Sequence, residues 1–175
     1  MGGMARVLRP FLDRWRLCAL LVSGAMLAVA HGFQTFGGFA PCHLCLKERE
    51  VYWVAGALAL AFMVVVRLPG GPRLRAATCW LLALAFLTSA GIAIFHAGAE
   101  WKFWPAPATC SSAGSGGVTA AAMAELLNGA SIRPPACDQA PWTLAGLSMA
   151  GWNAVISLGL VAMSVLAALR ERSKR

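Results

Sequence analysis

Four of the six cysteines stand where sulfur chemistry is possible. Cys42 and Cys45 form the tetrapeptide Cys42-His43-Leu44-Cys45 at the head of an apolar run, and Cys110 and Cys137 bracket most of a later loop. A C-x-x-C pair at the start of a helix suits redox work, because the helix N-terminus stabilises a thiolate and the second sulfur closes the ring quickly. In an oxidising compartment four cysteines allow three pairings, of which 42 with 45 plus 110 with 137 is the most local. A zinc site built from all four sulfurs lacks its second C-x-x-C, and c-type haem attachment would need histidine where Leu46 stands. Two purely structural disulfides are the competing reading. Cys18 and Cys79 fall inside apolar runs and read as small buried hydrophobes.

Charged and aromatic neighbours sharpen the redox reading. Arg49 follows Cys45 by four residues, which on a continuous helix puts a guanidinium one turn below that sulfur on the same face. There it would stabilise a thiolate or an electron-rich acceptor, or else simply snorkel to the interface. Glu48 is one position off that face and reads as a local charge partner. His43, between the two sulfurs, would favour a thiolate at Cys42 when protonated. His96 falls at the outer end of another apolar run, at the depth of the C-x-x-C, and is a candidate for holding a membrane-soluble cofactor. His31 reads as structural, and Trp101, Trp104, Trp142 and Trp152 as interfacial or packing residues.

The elements that must position these groups are membrane helices. Hydrophobic residues make up 59% of the chain and charged residues 13%, which excludes a disordered or nucleic-acid-binding protein despite a net charge of +8. Four apolar stretches, residues 17–36, 44–66, 76–97 and 144–169, approach the roughly 20 residues that span a bilayer. The second reaches that length only if Leu44 to Glu50 joins it. Eleven of the fifteen Lys and Arg residues lie in three segments: before the first stretch, in the short turn from Arg67 to Arg75, and after the last stretch. The positive-inside rule therefore puts both termini in the cytoplasm and residues 37–43 and 98–143 outside. Ala28-Val29-Ala30 also resembles a signal-peptide cleavage site, but the apolar run continues beyond it, favouring a retained span. In the long loop, Ser111 to Gly117 reads as a flexible link, and Val118 to Leu127 as a short amphipathic helix on the membrane surface. The expected fold is an all-α bundle of four transmembrane helices in one domain, 1–175.

In that topology the string Cys42-x-Leu-Cys45-x-x-x-Arg49, with Cys110 and Cys137 in the third-to-fourth loop, resembles the DsbB family of disulfide-bond formation membrane proteins. Pro105-Ala-Pro-Ala-Thr-Cys110 and Ala136-Cys137-Asp138, with Pro141-Trp142 nearby, look like family loop segments. The resemblance implies a bacterial inner-membrane enzyme that oxidises a periplasmic DsbA-like thiol oxidase and reduces a quinone, ubiquinone or menaquinone, with no metal. It implies attack of the partner on Cys110, displacement of Cys137, attack of Cys137 on Cys42 and release of Cys45 towards the quinone, with Arg49 and His96 as quinone-binding residues. A vitamin K epoxide reductase-like enzyme would carry its C-x-x-C near the end of the bundle instead. A transporter would need more polar residues deep in the spans than isolated Ser, Thr and Asn153, and a non-catalytic membrane subunit would tolerate loss of either cysteine pair.

Overall fold

A computed structural model of the chain describes residues 9–67, 71–107, 110 and 136–173. Four long helices dominate it: α1 (Trp15–Thr35), α2 (His43–Val65), α3 (Gly71–Glu100) and α4 (Met149–Ser173). The amphipathic segment expected at 118–127 and the Ser/Gly link lie outside the described residues. α1, α3 and α4 are each long and apolar enough to cross a membrane. α2 has 23 residues, but Lys47, Glu48, Arg49 and Glu50 occupy its first turns, so only its remainder is continuously apolar. The molecule is an all-α, multi-span membrane bundle.

The fourth apolar stretch departs from the helix expected at its start. Thr143–Leu144 (β1) and Leu147–Ser148 (β2) pair antiparallel, and the helix begins at Met149. Ala145 and Gly146 both have positive φ, 52° and 80°, as a two-residue type I′ turn requires. Ser148 then accepts the Gly151 N–H at 3.0 Å, an N-cap that starts α4 in register. Trp152 Nε1 donates to the Leu144 carbonyl and fastens the hairpin to α4.

Close packing is achieved with small residues, as is usual where lipid offers no hydrophobic drive between helices. Ala55, Ala59, Ala90, Ala93, Ala154, Ala167 and Ala168 are buried, while Leu21, Trp53, Leu60, Leu84 and Leu158 face outward. α3 packs most extensively on α4, and α1 and α3 flank α2. Polar side chains add ties across the interior. Trp15 Nε1 donates to Ser164 Oγ, Ser157 to Ser89, and Tyr52 Oη to Asn153 Oδ1 at 2.7 Å. At the basic end Arg16 is buried, donating to Thr78 Oγ1 and the Arg75 carbonyl, so this arginine holds α1 to α3.

The far end of α3 closes in a Schellman arrangement. Lys102 takes the left-handed conformation (φ 62°), Phe103 N–H bonds the Gly98 carbonyl, and Lys102 N–H bonds that of Ala99. The reversal lays Trp104 back on the helix, where it stacks on Phe95 and donates to the Phe95 carbonyl. A Cβ at Gly98 would overlap the Trp104 indole, so only glycine admits this contact. Gly98→Ala should therefore destabilise the protein by about 1–3 kcal/mol through overpacking. Thermal unfolding in detergent checks this, with Gly91→Ala as the comparison, since a Cβ there meets nothing within 4 Å.

Candidate redox site

Cys42 is the N-cap of α2, and its sulfur accepts the Cys45 backbone N–H at 3.3 Å. This geometry turns both sulfurs of the tetrapeptide towards one another, 3.0 Å apart, as an unbonded dithiol. The side-chain hydrogen bond between the two sulfurs, helped by the Cys45 backbone N–H, holds the Cys42 thiol below its ordinary range despite burial. Cys110 and Cys137 are joined by a disulfide with Cα atoms 5.3 Å apart. Across the gap between the two pairs, Cys42, Leu44, Cys110 and Cys137 form one buried cluster, with Cys45, Ile92 and Ala106 packed against it. Cysteines separated by more than 60 residues are thus brought to a single place. Cys45 is the partly buried member, whereas Cys42, Cys110 and Cys137 are 5%, 3% and 1% exposed.

The histidine beside the sulfurs is His96 of α3. Its Nε2 lies 3.6 Å from Cys42 Sγ, while His43 points outward from the first turn of α2. His96 Nδ1 lies 2.8 Å from Glu48 Oε1, and Asn153 Nδ2 of α4 donates to Glu48 Oε2 at 2.6 Å. Glu48 is therefore no local charge partner: it is buried and joins three helices, and the local pair is Lys47 with Glu50. Bundle geometry is the reason, because the face next to Cys45's own is the one that looks into the interior. Glu100, one turn beyond His96, places Oε1 3.9 Å from His96 Nε2 and accepts the Ser148 hydroxyl. Sequence reasoning gave Glu48, Glu100, Asn153 and Ser148 no place in the site. Their signal was polarity within or beside spans, where a carboxylate is costly unless partnered.

Arg49 is turned to α1. Nη1 donates to Gln34 Oε1 at 2.6 Å and Nη2 to the Ala30 carbonyl at 2.9 Å, so the guanidinium bridges the outer ends of α1 and α2. Trp142 packs on Phe33 in the same region, with ring centroids 5.2 Å apart. His31 bonds its own helix at the Leu27 carbonyl. Lys102 donates to both the carbonyl and the carboxylate of Asp138, anchoring the residue after Cys137 to the end of α3. That hydrogen bond holds the Asp138 carboxyl below its usual range, so the anchor is present at neutral pH and is lost only as pH falls through the lowered value.

A membrane bundle that gathers a C-x-x-C dithiol, a second disulfide and a carboxylate-held histidine at one end defines a thiol–disulfide oxidoreductase of the multi-span class. The family model described as "Disulfide bond formation protein DsbB" matches residues 13–167. The chain belongs to that family, whose activity is quinone-dependent disulfide formation. Relatives named disulfide bond formation protein B include one from Methylococcus capsulatus, 32% identical over 161 residues, covering 86% of this chain and 90% of the relative. Others come from Dechloromonas aromatica, 29% identical with 83% and 86% covered, and Marinobacter nauticus, 29% identical with 93% and 96% covered. No solved structure matches the chain.

Proposed function

We propose that the chain takes electrons from a DsbA-like periplasmic thiol oxidase through Cys110 and delivers them to a membrane quinone at Cys45. The observation that carries this reading is the single sulfur cluster in which Cys45 alone is not fully buried. Exchange between the pairs needs sulfurs in contact, and an external acceptor needs one that it can reach. A partner thiolate attacks Cys110 and breaks the Cys110–Cys137 bond. The freed Cys137 thiolate attacks Cys42 of the oxidised pair, and Cys45 leaves as a thiolate. A second thiol of the partner then releases it from Cys110 as a disulfide. Because Cys110 is buried, its surroundings must shift before the partner can reach it.

When Cys137 returns to Cys110, the 42–45 pair is left as the dithiol. Quinone supplies a two-electron, two-proton acceptor, so closing the Cys42–Cys45 bond balances its reduction to quinol. The residues present fit such a group. Arg49 uses two guanidinium N–H groups on α1 and has others for a carbonyl oxygen. His96, fixed by Glu48, stands at Cys42 on the other side of the pair, where it can hold or release the proton of that sulfur. In this reading α2 is the fourth span, and its charged first turns lie at the outer interface.

Purified full-length protein mixed with a reduced DsbA-like oxidase and a soluble quinone should consume quinone and partner thiols one for two. Partner oxidation without quinone loss would overturn the proposal. The orientation has its own check. A cysteine introduced at Arg73 should stay unlabelled by impermeant thiol reagents applied outside intact cells, whereas reduced Cys45 should react.

A further inference from the structure

We propose that the dithiol form of Cys42 and Cys45, together with His96, binds a thiophilic divalent cation of the zinc type, and that bound metal holds the pair reduced. The metal would be an inhibitory ligand and not a cofactor. The sulfurs of Cys42 and Cys45 and a ring nitrogen of His96 all lie within 4.8 Å of one another. Tetrahedral zinc, with bonds of about 2.3 Å to sulfur and about 2.05 Å to nitrogen, separates S from N by about 3.6 Å and S from S by about 3.8 Å. The Cys42 Sγ to His96 Nε2 distance is 3.6 Å. The two sulfurs, 3.0 Å apart, need to open by less than about 1 Å, and Cys45 is not fully buried.

The surroundings of His96 carry the argument further. A ligating histidine characteristically gives its other ring N–H to a carboxylate, which fixes the tautomer and the ring plane. Glu48 stands in this position, 2.8 Å from Nδ1, and is itself held by Asn153, so in the neutral ring with its proton on Nδ1 the Nε2 lone pair is presented to the sulfurs. Cys110 and Cys137 are spent on their own disulfide, so the donor set is two thiolates and one imidazole and not the four sulfurs that cysteine counting suggests. Three protein ligands leave a fourth position for water or another ligand, and Glu100 Oε1 lies 3.9 Å from His96 Nε2. On binding, the two thiol protons pass to solvent and two thiolates neutralise the dication. Both sulfurs are then engaged as ligands, and neither is available to form the Cys42–Cys45 bond. Binding depends only on the dithiol and not on which acceptor the protein uses.

The test uses full-length protein in detergent, reduced, desalted without air and titrated with Co2+. One equivalent should give thiolate-to-cobalt charge-transfer absorbance that Zn2+ abolishes. The double variant Cys110→Ala, Cys137→Ala should retain that absorbance, and Cys45→Ser should lose it. Glu48→Gln should weaken binding about 10- to 100-fold, the usual cost of losing such a supporting partner. His96→Ala should weaken it further, and its melting temperature shows whether the variant is folded. Diamide should close the metal-free pair and leave both thiols of the Zn2+-loaded pair countable after chelation. No charge-transfer band in the reduced protein, an undiminished band in Cys45→Ser or in both Glu48→Gln and folded His96→Ala, or oxidation of the zinc-loaded pair at the metal-free rate would overturn the proposal. Quinone reduction by metal-free protein is measured separately, so its failure would count against the electron path alone.

Discussion

Cys110→Ala should lower quinone reduction driven by a DsbA-like dithiol to the uncatalysed rate, while the Cys42–Cys45 dithiol still closes when quinone alone is added. The two pairs share one buried cluster, yet their sulfurs differ in what can reach them. Cys45 is only partly buried, whereas Cys137 is the most deeply covered of the four, at 1%. In the proposed path, removing Cys110 takes away the atom that the partner would attack and leaves Cys45, the sulfur proposed to meet quinone, untouched. Cys137→Ala should behave differently. The partner still attacks, but no resolving thiol remains to relay the charge to Cys42, so a mixed disulfide between the partner and Cys110 accumulates. Non-reducing gels and quinone absorbance read the two outcomes together. Normal partner oxidation by Cys110→Ala would remove the loop pair from the path.

Arg49→His should raise the Michaelis constant for quinone about 10- to 100-fold, the range expected for losing a hydrogen bond from a charged donor. Arg49→Lys should fall between it and the parent, because lysine keeps the charge but not the planar fork. The structure supplies a sharper control than thermal stability by itself. Arg49 also bridges α2 to α1 through Gln34 and the Ala30 carbonyl, so a purely architectural role is a concrete alternative. Gln34→Ala removes one side of that bridge without touching the guanidinium. If Arg49 acts on quinone, Gln34→Ala should leave the constant near the parent value while Arg49→His raises it. If Arg49 only joins the helices, both variants should melt earlier and keep the parent constant. A well-folded Arg49→His protein with unchanged quinone affinity would remove this residue from the site.

The features set by local sequence were legible without coordinates. Apolar runs of bilayer length mark the spans because backbone polar groups in lipid must be satisfied within their own helix, and the basic segments mark one end of the bundle. The spacing of Cys42 and Cys45 carries its chemistry with it, since a helix N-terminus and a two-residue gap bring those sulfurs together whatever surrounds them. Arg49 could be named from its offset, but its direction could not, because a helix face has no partner until another helix lies against it. Glu48 shows the same limit more sharply. Its neighbours in sequence are charged and point to a local pairing, yet its carboxylate is met by His96, 48 residues away, and Asn153, 105 residues away. The choice between His43 and His96 as the imidazole beside Cys42 was likewise made by α3 packing on α2. Chain order determined which residues could do the chemistry. Helix packing decided which of them meet, because a sulfur or carboxylate buried in a bundle takes its properties from side chains that adjoin it only after the helices associate.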